Sequence, residues 1–265
     1  MAARSYLFVP GDRPERFDKA CAAGADVVIL DLEDAVSPPR KHEARAAIER
    51  WLQQGGQAWV RVNGSETQWY ADDCTLLRSP GLLGVSLPKA ESAAQLAELA
   101  TRLPAHLGLL PIVESARGIW NAAELAAAPR VTRLAFGSVD FQVDTGIQGD
   151  DQELLFARSR LVIASAMARI EAPVDGVTVD LHNEQLLASD VERARLQGFG
   201  GKLCVHPRQV QAINDGLRPR DAEVQWARAV LDIVGASDGV GALSLGGKLI
   251  DLPVILRARR ILELA

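Results

Sequence analysis

The hydrophobic positions of this chain fall into short apolar runs that alternate with segments of helical spacing. Several runs are rich in Val, Ile and Leu and alternate little, which is typical of parallel strands buried on both faces. Eight strands are predicted, at Ser5–Pro10, Asp26–Leu32, Ala58–Asn63, Gly84–Lys89, Leu109–Glu114, Arg133–Gly137, Gly176–Asp180 and Lys202–His206. Helices are predicted between most of them, at Asp12–Ala23, His42–Gln53, Ala93–Leu103, Ala116–Ala127, Leu154–Ile170 and Asn183–Gln197.

Strands that alternate with helices indicate βαβ units and a parallel sheet, which places the chain in the α/β class. Eight such strands fit a (β/α)8 TIM barrel, a fold of about 250 residues. The alternative is a doubly wound open sheet, which normally carries a nucleotide-binding glycine loop. No GxGxxG motif follows a predicted strand, and the pairs Gly201-Lys202 and Gly247-Lys248 lack the other residues of a Walker loop. The barrel is therefore the predicted fold.

The chain changes character after the eighth predicted strand. A helix is predicted at Ala222–Val234, the stretch Gly235–Gly247 is rich in glycine, and a last helix begins at about Leu252. We interpret the glycine-rich stretch as a flexible loop within the domain, because glycine gives the backbone the most freedom. Residues 1–265 are thus predicted to form a single TIM-barrel domain.

Composition and charge narrow the possible functions. Hydrophobic residues make up 48% and charged residues 24% of the chain, as in ordinary soluble globular proteins. The net charge of −5 leaves no basic excess to neutralise phosphates, so no nucleic-acid partner is expected. No apolar stretch approaches the ~20 residues of a membrane span. The three cysteines match no disulfide or zinc pattern, which indicates a reducing, cytoplasmic location.

Charged or titratable side chains follow seven of the eight predicted strands. They lie at the C-terminal ends of the strands, and this is the end of a TIM barrel at which catalytic groups are found. Because the C-terminal ends of all strands meet at one mouth, we expect these side chains to converge there. In chain order they are Asp31, Glu33 and Asp34, then Arg61 with Asn63, Lys89, Glu114, Asp140, Asp180 and His206.

Two of these carboxylates suggest a metal site. Glu114 and Asp140 follow adjacent strands without a histidine or cysteine partner, which suits a hard cation such as Mg²⁺ or Mn²⁺. The alternative is that both cap the helices that follow them. Arg61 offers a planar donor fork for a carboxylate or a developing oxyanion. Lys89 either contacts substrate or pairs with the acidic cluster Asp31–Asp34.

Eight short segments carry a more specific signal. They are Arg4–Gly11, Asp31–Val36, Val60–Asn63, Leu87–Lys89, Ile112–Ser115, Phe136–Asp140, Gly198–Lys202 with His206-Pro207, and Ile250–Pro253. In this order they resemble the β subunit of citrate lyase and its stand-alone relatives in the HpcH/HpaI aldolase superfamily. The resemblance extends from residue 4 to the last helix and so covers essentially the whole chain.

The resemblance implies a TIM barrel that assembles as a homotrimer or hexamer, with residues 235–265 acting as a lid or oligomer contact. It implies Mg²⁺ bound by Glu114 and Asp140. Asp251 matches the family's lid aspartate, which reaches a neighbouring protomer's site as acid/base; the alternative is that it only caps the last helix. The residues expected to bind substrate are Arg61, Glu114, Asp34 and Lys89, and those expected to be catalytic are Arg61 and Asp251.

The reaction implied by the resemblance is retro-Claisen cleavage of a 3-hydroxyacyl-CoA, of citramalyl-CoA or malyl-CoA type, to a small 2-keto acid and acetyl-CoA. Arg61 would hold developing oxygen charge and Asp251 would protonate the enolate carbon. Three alternatives remain open. They are a citryl carrier-protein lyase subunit of a citrate lyase complex, a class II pyruvate aldolase acting on a free acid, and a non-catalytic subunit that binds a keto acid.

Overall fold

The computed structural model describes residues 3–235 and 243–265, which divide into two compact units, Ala3–Gly216 and Leu217–Ala265. The first unit contains the predicted strands and most of the predicted site residues. The second unit contains Asp251 and begins ahead of residue 235, where the predicted lid starts. The role of residues 235–265 as a lid or oligomer contact stays a prediction.

Eight parallel strands pair in sequence order and close into a barrel, which confirms the predicted TIM barrel. They are β1 (Ser5–Pro10), β2 (Val27–Asp31), β3 (Ala58–Arg61), β4 (Leu82–Leu87), β5 (Gly108–Val113), β6 (Ala135–Phe136), β7 (Val174–Asp175) and β8 (Gly201–Cys204). Closure comes from the pairing of β1 with β8, in which Ser5 lies opposite Lys202. The register of β2 and β3 places Asp31 opposite Arg61. The polar residues that follow the strands therefore gather at one end of the barrel.

Helices follow the strands, and their local sequences explain where they form. In the first unit they are α1 (Phe17–Cys21), α2 (Lys41–Gln53), α3 (Tyr70–Asp73), α4 (Ala93–Arg102), α5 (Ala116–Trp120), α6 (Ala122–Ala126), α7 (Ser138–Thr145), α8 (Leu155–Ala168), α9 (Glu184–Gln197) and α10 (Arg208–Gly216). Short 3₁₀ turns occur at Pro14–Arg16, Pro38–Arg40, Cys74–Arg78 and Gln152–Leu154. α2 turns Ala44, Ile48 and Leu52 inward at a spacing of four residues, and all three are fully buried. At the start of α4, Ser92 and Gln95 form a capping box.

The seventh strand differs from the prediction. The sequence predicts Gly176–Asp180, but the strand is Val174–Asp175, so the assignment of Asp180 to the strand end is wrong. The prediction took this segment as a short apolar run bounded by turn signals. Its residues Val177 and Val179 instead lie beyond the barrel strand and line a cavity at its mouth. Asp175 ends the strand instead and is fully buried.

Three of the helices, α3, α7 and α10, have no counterpart among the helices predicted from the sequence. α7 begins directly after Gly137, so Asp140 lies in the first turn of a helix. The predicted helix Ala116–Ala127 is divided at Asn121 into α5 and α6. The sequence missed α7 because its eight residues are too few to show a clear helical period.

The barrel interior is apolar at its centre. Its buried residues come from six of the eight strands, so that the cluster joins opposite sides of the barrel and is a packed core. They are Tyr6, Ile29, Leu110, Ile112, Ala135, Val174 and Leu203.

A buried ion cluster lies between β7, β8 and α8. Arg158 Nε contacts Asp175 Oδ1 at 3.0 Å, and Lys202 Nζ lies 3.6 Å from Asp175 Oδ2. Burial alone would raise the pKa of Asp175, but Lys202 and Arg158 outweigh it and hold the pKa below its ordinary value. The carboxylate of Asp175 is therefore ionised, and the two cations neutralise its charge. These contacts link β7 and β8 to α8.

The second unit is a pair of helices with a hairpin between them. Its elements are α11 (Asp221–Gly235), β9 (Leu243–Leu245), β10 (Lys248–Ile250) and α12 (Leu252–Leu264). Ala227, Val230, Ile250 and Ala258 form its core. The predicted flexible loop runs partly through residues 236–242, which lie outside the described residues. Its last part is a hairpin instead, because Gly246 and Gly247 take the positive φ that the turn requires.

One further finding concerns membranes. Across residues 3–235 and 243–265, none of the helices is both long enough and apolar enough to cross a bilayer.

The buried ion cluster predicts that a single isosteric substitution lowers the stability of the protein strongly. We expect Asp175→Asn to lower the free energy of unfolding by about 3–5 kcal/mol at neutral pH, because Arg158 and Lys202 lose their buried counter-charge. The pKa of Asp175 is lower in the folded protein than its ordinary value of 3.8, so the carboxylate stabilises the fold above that pH. The difference between wild type and variant should shrink as pH falls below that value.

Denaturant unfolding of both proteins at neutral and acidic pH measures this difference. Glu43→Gln, at an exposed carboxylate, is the control and should change stability little. If the Asp175→Asn protein is as stable as wild type at neutral pH, the charge of Asp175 is not needed to compensate Arg158 and Lys202.

Candidate active site

A cavity of about 370 Å³ opens at the C-terminal ends of the barrel strands. One half of its wall is polar and comes from β2, β3, β5 and α7. The other half is apolar and comes mainly from β1, β8 and the segment after β7. The polar residues are Asp31, Asp34, Arg61, Glu114, Ser138 and Asp140, and the apolar ones include Phe8, Ile112, Phe136, Val177, Val179, Leu203 and Val205.

Arg61 is held in place by two carboxylates. Its Nε and Nη2 donate to the two oxygens of Asp31, both at 2.6 Å, and its Nη1 lies 3.0 Å from Glu33 Oε2. The guanidinium also lies 4.6 Å from the ring centroid of Phe8. Burial alone would lower the pKa of Arg61, but Asp31 and Glu33 raise it, so the cation is permanent. Because a guanidinium has five N–H donors, these three contacts leave two for a ligand.

Lys89 links the two acidic parts of the site. Its Nζ lies 2.8 Å from Glu33 Oε1, and its backbone N–H donates to Glu114 Oε1 at 2.7 Å. Its φ of 50° lies in the left-handed region, which a lysine seldom adopts and which surrounding contacts must hold. The pairing of Lys89 with the acidic cluster is therefore confirmed, and its contact with substrate stays a prediction.

Glu114 carries the clearest electrostatic signal. Burial, the charge of Asp140 and the charge of Glu33 together raise the pKa of Glu114 to about 8. The backbone N–H of Lys89 and the more distant Arg61 oppose this rise without cancelling it. The polar half of the cavity thus holds more negative charge than its own cations neutralise, which is an environment suited to an added cation.

The alternative that the two carboxylates cap helices is wrong for Glu114. The cap of α5 is Ser115, whose hydroxyl accepts the N–H of Gly118 at 3.1 Å. For α7 the cap position is Gly137, and Asp140 lies further along in the first turn. Both carboxylates line the cavity instead.

Three comparisons place this geometry among known proteins. The family model described as HpcH/HpaI aldolase/citrate lyase matches residues 4–207. A citrate lyase subunit beta-like protein of Deinococcus radiodurans is 34% identical over 98% of this chain and 96% of its own. A (3S)-malyl-CoA thioesterase of Cereibacter sphaeroides is 33% identical over 99% of this chain and 94% of its own.

A solved structure agrees over the full length. It is protein CitE from Mycobacterium tuberculosis in complex with magnesium, acetoacetate and coenzyme A. The TM-score is 0.86 at 34% identity, over 99% of this chain and 97% of that chain.

The chain belongs to the HpcH/HpaI aldolase/citrate lyase family. This confirms the resemblance drawn from the eight sequence motifs and places the chain in a family of lyases. The matched region ends at residue 207, so it covers the barrel and the cavity but not the segment with Asp251.

Within this family fold, the site can accept a cation but does not enclose one. Among the described residues, no three His, Cys, Asp or Glu side chains gather into a ready-made metal cage. Glu114 and Asp140 would supply two oxygen donors, and the other ligands would be water and substrate oxygens, as is common for Mg²⁺. The donor set and its excess negative charge fit such an ion.

The remaining predicted residues lie in different places. Asp34 is exposed at the rim of the cavity, and its backbone N–H donates to Glu33 Oε2 at 3.2 Å. Asp251 is exposed in the second unit and accepts the N–H of Val254 at 3.1 Å as the cap of α12. The cap is thus confirmed, and its acid/base role stays a prediction. His206 accepts the backbone N–H of Arg208 and makes a local turn.

Two features of the site have no direct signal in the amino-acid sequence. Glu33 is a buried carboxylate that bridges Arg61 and Lys89, but it is one of four neighbouring candidates in the Asp31–Asp34 segment. The apolar half of the wall, including Val177 and Val179, was hidden because the pattern there was interpreted as a strand. Only the alternation of those valines could have indicated it.

One glycine is required by the close approach of Glu114. A Cβ on Gly137 would lie 2.5 Å from the Cβ of Glu114, so Gly137→Ala must displace that side chain. We expect the free energy of unfolding to fall by about 1–3 kcal/mol. We also expect a divalent cation to bind at least about tenfold more weakly, a change that 1.4 kcal/mol would produce.

Denaturant unfolding and calorimetric titration with Mg²⁺ measure these two effects. Gly64→Ala is the matched control, because the nearest atom to its added Cβ lies at 3.8 Å, an ordinary contact distance. If both variants bind Mg²⁺ as wild type does, Glu114 is not placed by Gly137.

Proposed function

We propose that this protein is a Mg²⁺-dependent carbon–carbon lyase that cleaves a 3-hydroxyacyl-CoA to a 2-keto acid and acetyl-CoA. The observation that carries the proposal is the cavity itself. Its polar lining includes two carboxylates suited to a metal ion and the oriented guanidinium of Arg61. The rest of its wall is apolar. The bound magnesium, acetoacetate and coenzyme A of the related CitE protein support the same chemistry.

Glu114 and Asp140 would hold the metal ion, with Mg²⁺ favoured and Mn²⁺ the alternative. When bound, such an ion polarises oxygen atoms of the substrate and lowers the pKa of its hydroxyl group. The raised pKa of Glu114 supports this assignment, because a cation offsets the burial and like charge that cause it.

Arg61 would hold the oxygen-rich end of the substrate. Asp31 and Glu33 already fix three of its N–H donors, so the remaining two are oriented before substrate binds. Donors fixed in advance stabilise developing negative charge without reorganisation during the reaction. Asp34 at the rim and Lys89 beside Glu114 would contribute to substrate binding by charge.

The apolar half of the cavity would exclude water from the reacting carbon. During cleavage the hydroxyl proton leaves, the bond between the second and third carbons breaks, and its electron pair passes to the acetyl thioester as an enolate. Protonation of that carbon completes acetyl-CoA, while the carbinol carbon becomes the carbonyl of the keto acid. Val177, Val179, Leu203 and Val205 offer the hydrocarbon surface that such a step needs.

Asp251 is our candidate for the acid that protonates the enolate, acting from a second copy of the chain. Residues 235–265 would then serve as a lid, and the protein would function as a homotrimer or hexamer. A cytoplasmic location belongs to the same proposal, because Cys21, Cys74 and Cys204 are all free thiols. Analytical ultracentrifugation measures the assembly directly.

The proposed reaction predicts a defined product pattern. Purified protein with Mg²⁺ should release a keto acid from one member of a panel of malyl-, citramalyl- and β-methylmalyl-CoA, without release of free thiol. We expect Glu114→Gln to lower kcat/KM at least about 100-fold, because it removes a charged ligand from the metal pair. Chelation of the metal should abolish turnover.

The panel, extended by a free hydroxy acid and a citryl carrier protein, separates the alternatives. Free CoA thiol with an intact hydroxy acid would indicate a thioesterase, the activity named for the Cereibacter relative. Cleavage of a free hydroxy acid would indicate an aldolase, and cleavage of a citryl carrier protein alone would indicate a citrate lyase subunit. If the protein binds Mg²⁺ and a keto acid but is silent with every substrate, it is a non-catalytic subunit.

The role of Asp251 can be tested apart from its cap. Asn is as good a helix cap as Asp but cannot donate a proton, so Asp251→Asn should keep the stability of α12. We expect kcat to fall about 10²- to 10⁴-fold, the usual contribution of a positioned general acid. Thermal unfolding and product release are measured together, with Asp251→Ser as a second variant that retains the cap. Full activity in both variants would show that Asp251 acts only as the cap of α12 and not as an acid.

A further inference from the structure

Lys41 is a buried lysine that lies on α2, outside the residues that line the cavity. Its Nζ donates to the carbonyl oxygens of Leu32 at 2.8 Å and Glu33 at 2.9 Å. A third bond, of 2.6 Å, goes to the side-chain oxygen of Asn63. An ammonium group has three N–H donors, so each of them has an oxygen partner here.

The three acceptors flank the ion pair that orients Arg61. Leu32 and Glu33 directly follow Asp31, and Asn63 follows Arg61 by two residues. The ion pair joins the ends of β2 and β3 at the cavity. Lys41 joins the loops after the same two strands from the side of α2, and so forms a second link between them.

The second link continues into a buried network. The backbone and side-chain N–H groups of Asn63 both donate to Asp73 Oδ2, at 2.8 and 2.6 Å. Arg45, one turn along α2 from Lys41, donates to Asp73 Oδ1 at 2.9 Å. All four side chains are buried. A fully satisfied buried network of this kind favours one arrangement of the loops that it connects.

We infer that Lys41 is a positioning residue for Arg61, a role that rests on the proposed function. It anchors the backbone of Glu33, and the carboxylate of Glu33 contacts both Arg61 and Lys89. Without the ammonium, three buried oxygens lose their donor and the loop after β2 must move to find others. The donor fork of Arg61 then loses its alignment with substrate, although Lys41 touches no substrate itself.

Lys41→Met tests this inference, since it keeps a long side chain but removes all three donors. We expect kcat for thioester cleavage to fall about 10- to 100-fold, the effect of a misplacement of about 1 Å. We expect the Kd of a 2-keto acid, glyoxylate or pyruvate in the presence of Mg²⁺, to rise about tenfold for the same reason. The Kd of Mg²⁺ alone should change less than the Kd of the keto acid, because Glu114 and Asp140 lie after other strands.

Arg133→Met is the matched control for loss of a buried cation. Arg133 is as deeply buried but donates to Tyr6 and Ala3 at the opposite end of the barrel. It should lower thermal stability without the selective loss of keto-acid binding. Lys41→Gln, which keeps two of the three donors, is a second variant with a smaller expected defect and a better prospect of folding.

The outcomes separate clearly. A fall in kcat and keto-acid affinity no larger than that of Arg133→Met, or failure of both Lys41 variants to fold, would assign Lys41 to stability alone and overturn the inference. A wild-type protein that is silent with every thioester but binds a keto acid would refute only the proposed function. The binding measurements would still test Lys41 in that case.

Discussion

Closure of the parallel barrel is the constraint on which the rest of this molecule depends. Pairing of β1 with β8 leaves no free sheet edge and brings the C-terminal ends of all eight strands to one mouth. Residues far apart in the chain, such as Asp31 and Asp140, thereby line one cavity. The apolar packing inside the barrel supports this closure, and the buried Asp175 cluster adds charge pairing at β7, one of its two shortest strands.

The mouth is arranged around an excess of negative charge. Asp31 and Glu33 are offset by Arg61 and Lys89. Glu114 nevertheless has a pKa of about 8, because burial and its acidic neighbours outweigh the backbone N–H of Lys89 and the charge of Arg61. Such a site is electrostatically incomplete until a cation binds, which is why the proposed metal and the proposed chemistry belong together. The apolar half of the same cavity lowers the local dielectric and makes each of these charges act more strongly.

The side chains that line this site are oriented by groups that need not contact a ligand themselves. Glu33 holds Arg61 and Lys89 together, Gly137 leaves room for Glu114, and the left-handed backbone of Lys89 turns its N–H toward the same carboxylate. Each of these contacts joins a different pair of strand ends. Relatives of this chain are named both as a citrate lyase subunit beta-like protein and as a malyl-CoA thioesterase, so this family fold is associated with more than one reaction.

The amino-acid sequence by itself determined the fold class, most of the strands and the set of polar residues at their ends. It could do so because buried parallel strands leave continuous apolar runs and because Glu114, Arg61 and Asp140 directly follow such runs or come soon after them. It could not place β7, since a two-residue strand ending in a buried charge has no pattern of its own. It could not rank Glu33 above Asp34, nor single out Lys41, because their roles arise from contacts between different strands and helices. Only the tertiary structure decided those partners, since hydrogen bonds between distant segments leave no periodic trace in the chain.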